Sequence, residues 1–207
     1  MWHEFFPNGM IYGIDNGRML PGSKIIVGGM DGTQVNILSA DDVKLLQPEA
    51  VVDYSNFNWI ENDRIKCAIA DQRSKIQLEK AFKHFQCNAF DVILDDGHHF
   101  QEHQQKSLNL LFKNIKSGGY YIIEDIGVQE GLAAGSFLGQ RKKDATDSTD
   151  YIFKQYLKTG DLKSLYLSEK ECKYIHDNVD DIFMYDYERK NNSPLINQSK
   201  LLIIKKK

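Results

Sequence analysis

Residues Ala89 to Ile126 read AFDVILDDGHHFQEHQQKSLNLLFKNIKSGGYYIIEDI. The stretch opens on Phe90-Asp91-Val92-Ile93-Leu94, a short apolar run of the kind that makes a strand buried on both faces. It ends on Asp95-Asp96-Gly97-His98-His99, side chains that can ionise, bind a metal or hydrogen-bond. From Gln101 to Lys116, Leu108, Leu111, Phe112 and Ile115 recur at helical spacing and predict an amphipathic helix. Ser117-Gly118-Gly119 stops that helix, with glycine available for a left-handed cap. Tyr120 to Ile123 predicts a second buried strand, closed by Glu124-Asp125. Strand, helix and strand with a short return form a parallel unit, right-handed by default. Its two carboxyl ends lie side by side on one sheet edge, where open α/β sheets bind ligands. The pattern therefore brings Asp95, Asp96, His99, Glu124 and Asp125 together, and the fold class is α/β.

Composition narrows the function classes. A chain of 207 residues suits one domain and can bury a core, and 42% apolar with 27% charged residues is ordinary for a soluble globular protein. The net charge is −3 and the basic runs are short: Arg141-Lys142-Lys143 reads as solvent-facing and Lys205-Lys206-Lys207 as a solvated, edge-protecting end, so no nucleic-acid partner is expected. No apolar run reaches the length of a membrane span, and Met1-Trp2-His3-Glu4 is not a signal peptide, so no membrane partner is expected. Cys67, Cys87 and Cys172 are scattered, and read as reduced thiols of a cytoplasmic protein rather than a disulfide frame or zinc site.

The combined pattern resembles the sugar O-methyltransferases. It consists of Asp95-Asp96-Gly97-His98-His99 after a strand, then a helix, then Gly118-Gly119-Tyr120-Tyr121-Ile122-Ile123-Glu124-Asp125. The likeness extends upstream to the segment Trp2 to Asp15 and to Ala70-Asp71-Gln72. Enzymes of that family use S-adenosylmethionine to methylate deoxysugars of macrolides, rhamnosyl groups and cell-surface glycans. The resemblance implies a Rossmann-like class I methyltransferase sheet, mostly parallel with an antiparallel C-terminal edge pair. It implies S-adenosylmethionine as donor, Mg²⁺ or Mn²⁺ as activating ion, and a small-molecule or glycan sugar as acceptor. Asp96, Glu124 and Asp125 match the family's metal ligands, and His99 matches its catalytic histidine. Asp71-Gln72 matches a pair beside the adenine, and Asp15 an acid that takes the ribose hydroxyls.

Chemistry supports the same roles. A neutral hydroxyl attacks a sulfonium methyl poorly, so its proton must be removed and the developing alkoxide stabilised. An imidazole, titrating near ~6.5 in isolation, is a suitable base at neutral pH. Three carboxylates from adjacent strand ends make a hard, oxygen-rich site that suits Mg²⁺ or Mn²⁺. Strand alternation turns Asp95 the other way, toward the cofactor side or a structural bond. His98 stands where the family has a small residue, and register favours His99 over it as the base. Rival readings are a helix cap for each acidic pair, a turn for Asp15-Asn16-Gly17, and a zinc pair for His99 with His103.

One piece of the family pattern has no obvious place. The first strand and its glycine-rich loop are expected upstream of Met1, as though the chain were part of a longer polypeptide or fused to an upstream domain. The internal candidate is Lys24 to Gly32, where Ile25-Ile26-Val27 runs into Gly28-Gly29-Met30-Asp31-Gly32. Thr33 to Leu38 then alternates like a strand, so Gly28 to Gly32 reads as a hairpin turn within an insertion from about Gly17 to Asn62 of a single domain, residues 1–207. A helix is expected at Ser39 to Leu46 and strands at Met10 to Ile14, Ala50 to Tyr54 and Arg64 to Ala70. Ser74 to Phe85 and Thr149 to Leu157 read as helices, and Ile182 to Tyr185 with Lys200 to Ile204 as the edge pair. Gly127 to Ser148, glycine-rich and then charged, stands where the resemblance implies a loop that helps cover the substrate. A homo-oligomer is open at this level. So are two other functions, an aromatic-diol O-methyltransferase and a non-catalytic methyltransferase-like binding domain.

Overall fold

A computed structural model describes residues 2–15, 27–28, 34–35, 63–97, 99–126, 146–187 and 199–207. The chain divides into two compact units, Met1–Asn88 and Ala89–Lys207. The expected elements at Ser39 to Leu46 and Ala50 to Tyr54, most of the 127–148 loop, and His98 lie outside the described residues.

In the first unit a short helix α1 (Trp2–Phe5) leads to strand β1 (Ile11–Asp15). The Arg64 guanidinium donates to the carbonyls of Phe6 and Pro7 at 3.2 and 2.6 Å, fastening the intervening turn. Strands β2 (Val27–Gly28) and β3 (Gln34–Val35) pair antiparallel, Val27 opposite Val35, as a hairpin requires. Strand β4 (Ile65–Ile69) runs parallel to β1, with Ile11 opposite Ile65 and Asp15 opposite Ile69. Helix α2 (Lys75–Phe85) starts where the Ser74 side chain accepts the Gln77 N–H and stops at Gln86, whose φ is 55°. Its apolar face buries Leu78, Ala81 and Phe85, and the Phe85 ring meets Tyr12 of β1 at 5.0 Å.

The second unit holds strand β5 (Phe90–Asp95), helix α3 (Gln101–Leu111), a 3₁₀ turn (Phe112–Asn114) and strand β6 (Ile115–Ile123). Helices α4 (Thr149–Thr159) and α5 (Glu169–Asn178) follow, then strands β7 (Val179–Tyr187) and β8 (Ser199–Lys206). The sheet order is β5-β6-β8-β7, with β5 parallel to β6 and the β8-β7 pair antiparallel. The parallel unit and the antiparallel edge pair are both as expected. The core joins Leu108 and Phe112 to Tyr121 and Ile123 of β6, Leu202 and Ile204 of β8, Phe153 of α4 and Ile175 of α5.

Four local expectations need correction. The helix at Gln101 ends at Leu111 rather than Lys116, because Phe112 and Ile115 reach the core equally well from a tight turn and a strand. Gly118 and Gly119 are consequently not its stop. They lie where the register jumps from Phe90 opposite Ile115 to Val92 opposite Tyr120, a bulge in β6. Gly118 has φ 78°, and a Cβ on Gly119 would stand 2.6 Å from the Asp91 carbonyl oxygen. Nor are the strands buried on both faces: Tyr121 and Ile123 are buried, while Val92 is 43% and Tyr120 36% exposed. Finally, Lys206 is not a solvated end, since its Nζ reaches the Phe112, Lys113 and Ile115 carbonyls at 3.3, 3.2 and 2.8 Å.

Among the described residues, no helix is long and apolar enough to cross a membrane. Cys67, Cys87 and Cys172 are thiols.

Candidate functional site

The carboxyl ends of β5 and β6 carry the chemistry. Asp96 follows β5, His99 stands two residues before α3, and Glu124-Asp125 follows β6. Backbone pairing continues past the end of β6, with the Glu124 N–H bonded to the Asp95 carbonyl at 3.0 Å. One ligand atom each from Asp96, His99 and Asp125 lies within 4.8 Å of the others. His99 Nε2 is 3.8 Å from Asp125 Oδ2, and both side chains are about a third exposed. Asp125 adopts φ 53°, a left-handed conformation uncommon for a residue with a side chain. Such strain concentrates at functional sites.

Glu124 stands outside that triad but within its field. Burial raises its carboxyl pKa above the usual range, the charges of Asp96 and Asp125 raise it further, and His99 acts the other way. Crowded acids of this kind are relieved by a cation. The donor chemistry fits a divalent metal: carboxylates from two strand ends offer hard oxygens, as Mg²⁺ and Mn²⁺ require. Asp96, His99 and Asp125 are the residues placed so that they could share one ion, with Glu124 beside them.

Asp95 faces inward, as alternation requires. Its carboxylate accepts the Gly97 N–H at 3.2 Å and the Tyr121 hydroxyl at 3.2 Å, and takes a further bond from the Ser107 hydroxyl. Burial raises its pKa, against the lowering effect of those bonds and of His99.

In the first unit, Asp15 and Asp71 stand at the ends of neighbouring parallel strands. Asp15 is exposed, and its carbonyl accepts the Ala70 N–H at 2.9 Å. Asp71 is buried and gripped by Arg73, with Nε at 3.0 Å from Oδ1 and Nη2 at 2.7 Å from Oδ2. Its N–H donates to Gln77 Oε1 at 2.7 Å, and Gln72 is partly exposed beside it.

Several polar residues escape a reading of the sequence. Gln101, Gln104, Gln105 and Ser107 of α3 are all buried. Gln104 Nε2 donates to the Glu124 carbonyl at 3.1 Å, and Gln105 Nε2 to that of Asp147 at 2.8 Å. Asp150 is buried with Lys200, whose Nζ is 3.0 Å from its Oδ2, and Lys154 adds a second contact at 2.8 Å. A run of glutamines on one helix is the signal that was available, but its composition also fits a solvated face. A groove of about 720 Å³ between α4 and α5, lined by Ile152, Leu162, Leu165 and Cys172, includes none of the acidic cluster.

The α/β fold is shared with solved methyltransferases, and in sequence this chain is similar to O-methyltransferases. It is 26% identical over 126 residues to the mycinamicin VI 2''-O-methyltransferase of Micromonospora griseorubida, a match covering 61% of this chain and 22% of that protein. It is 27% identical over 126 residues to the demethylmacrocin O-methyltransferase of Streptomyces fradiae, with the same coverage of 61% and 22%. The solved MycE methyltransferase of the mycinamycin biosynthetic pathway, in complex with Mg, SAH and mycinamycin VI, superposes with a TM-score of 0.54 at 20% identity. A second form with Mg and SAH gives 0.56 at 20% identity, and in both the likeness covers 99% of this chain and 38% of that one. The chain thus spans well under half the length of the proteins it matches. No family model matches it.

Proposed function

We propose that the chain is an S-adenosylmethionine-dependent, divalent-metal-assisted O-methyltransferase acting on a sugar hydroxyl of a glycan or glycosylated metabolite. The observation that carries this reading is the convergence of Asp96, His99 and Asp125 within 4.8 Å at adjacent strand ends. Support also comes from relatives named as O-methyltransferases of mycinamicin VI and demethylmacrocin.

The roles follow from position. His99, half-buried and 3.8 Å from the Asp125 carboxylate, takes the acceptor hydroxyl's proton. Asp96, Asp125 and Glu124 hold the cation. When bound, a divalent ion lowers the hydroxyl's pKa and stabilises charge developing on its oxygen. Asp15, Asp71 and Gln72 are assigned to the nucleoside of the cofactor. Asp95 serves through its bonds to Ser107, Tyr121 and Gly97.

One observation favours a second reading of His99. It lies inside the set that could ligate one ion, whereas Glu124 does not. As a ligand, His99 could not also accept a proton on the same nitrogen. Hard ions rarely need an imidazole, which keeps the base assignment first.

The test is transfer of labelled methyl from S-adenosylmethionine to a panel of deoxysugar glycosides and catechols, with Mg²⁺ and then with EDTA. Label on a sugar hydroxyl, lost with EDTA, is expected. Label on catechols alone would replace the sugar reading with the aromatic-diol one.

A further inference from the structure

Helix α3 holds both strand ends at once. Gln104 and Ser107 are one turn apart on it, 1% and 0% exposed. Gln104 Nε2 donates to the Glu124 carbonyl at 3.1 Å. That carbonyl belongs to the peptide unit leading into Asp125, so the bond fixes the plane about which the φ of 53° is set. Ser107 bonds to Asp95 Oδ2 and lies 3.1 Å from the Tyr121 hydroxyl, which itself donates to Asp95 at 3.2 Å. The other oxygen of Asp95 takes the Gly97 N–H at 3.2 Å and so pins the turn that carries Asp96. One side chain fixes the β6 end and the other the β5 end. Both are buried on a rigid element.

We propose that Gln104 and Ser107 are positioning residues that set the separation of Asp96 and Asp125, and thereby the affinity of the strand-end site for a divalent cation. This rests on the reading of Asp96 and Asp125 as cation ligands. An outer partner that orients a ligand typically changes metal affinity by about 10- to 100-fold when removed.

The test is titration of the 207-residue chain with Mn²⁺, followed by electron paramagnetic resonance. Gln104→Met keeps packing volume and removes the donor, and Ser107→Ala removes the hydroxyl. Each should weaken Mn²⁺ binding by about tenfold and alter the bound-Mn²⁺ line shape, a signature that loss of stability alone would not produce. In an Asp125→Asn background, Gln104→Met should add little further loss, because its effect acts through Asp125. Wild-type affinity and line shape in both variants, with Mn²⁺ still bound by the parent chain, would overturn the positioning role and leave the metal reading intact. No Mn²⁺ binding by the parent would overturn both. Should Gln104→Met fail to fold, Ser107→Ala alone decides by the same two readouts.

Discussion

His99 places its Nε2 3.8 Å from Asp125, and that nitrogen can take a proton or bind a metal, not both. His99→Ala separates the two roles. As a base, its loss should reduce turnover by about 10²- to 10⁴-fold while Mn²⁺ affinity stays within about a factor of two of the parent. A fall in affinity comparable to that of Asp125→Asn would make it a ligand. Asp150 poses an electrostatic question. Burial pushes its carboxyl pKa up, but bonds from Lys154 and Lys200 outweigh that and leave it lowered. A depressed carboxyl pKa contributes stability that is present above the ordinary range near ~4 and is lost as pH falls through the folded value. Asp150→Asn should therefore cost about 3 kcal/mol at pH ~7, because it removes the carboxylate that pairs with the buried Lys200. The difference should shrink on acidification, and pH-dependent thermal melts measure both. An unchanged gap at acid pH would refute the assignment.

Much of the site was legible at this scale. Asp96, His99, Glu124 and Asp125 flank strands with clear apolar runs, so chain position alone placed them on one edge. Gln104 and Ser107 were not, since helical glutamine and serine are ordinary surface residues and only the fold turns them inward.

At the scale of elements, the β6 bulge is the most sensitive joint. A Cβ at position 119 would stand 2.6 Å from the Asp91 carbonyl oxygen and 2.9 Å from Ile115 Cγ2. Gly119→Ala should destabilise the second unit by about 2 kcal/mol or more, as an overpacked core does. Denaturant titration of Gly119→Ala tests this, and a change under about 0.5 kcal/mol, the scale of a neutral surface change, would contradict it. Sequence periodicity misplaced this joint because Phe112 and Ile115 satisfy a helical spacing and a strand core equally. Helix α5 was missed altogether. Its signal was present in Ser168-Glu169-Lys170-Glu171, where Ser168 and Glu171 cap each other reciprocally. Ser168→Ala should cost about 1 kcal/mol, read in the same titration.

For the molecule as a whole, the parallel β5-β6 pair and the antiparallel β8-β7 edge were legible because their apolar runs are short, separate and bounded by polar turns. The hairpin of Val27–Gly28 with Gln34–Val35 was the harder choice, decided in the sequence by alternation after Gly32 and matched by the antiparallel pairing. With Gly28 in a hairpin, the cofactor residues assigned in the first unit are Asp15, Asp71 and Gln72. Methyltransferase function stands or falls on whether this chain takes the methyl donor. The direct measurement is calorimetric titration of S-adenosylmethionine into the 207-residue chain, with Mg²⁺ and again with EDTA. Saturable micromolar binding in both conditions is the predicted result, since the cation is assigned to the acceptor's oxygens and not to the donor. No binding in either would contradict the enzymatic account and leave a methyltransferase-like fold put to another use.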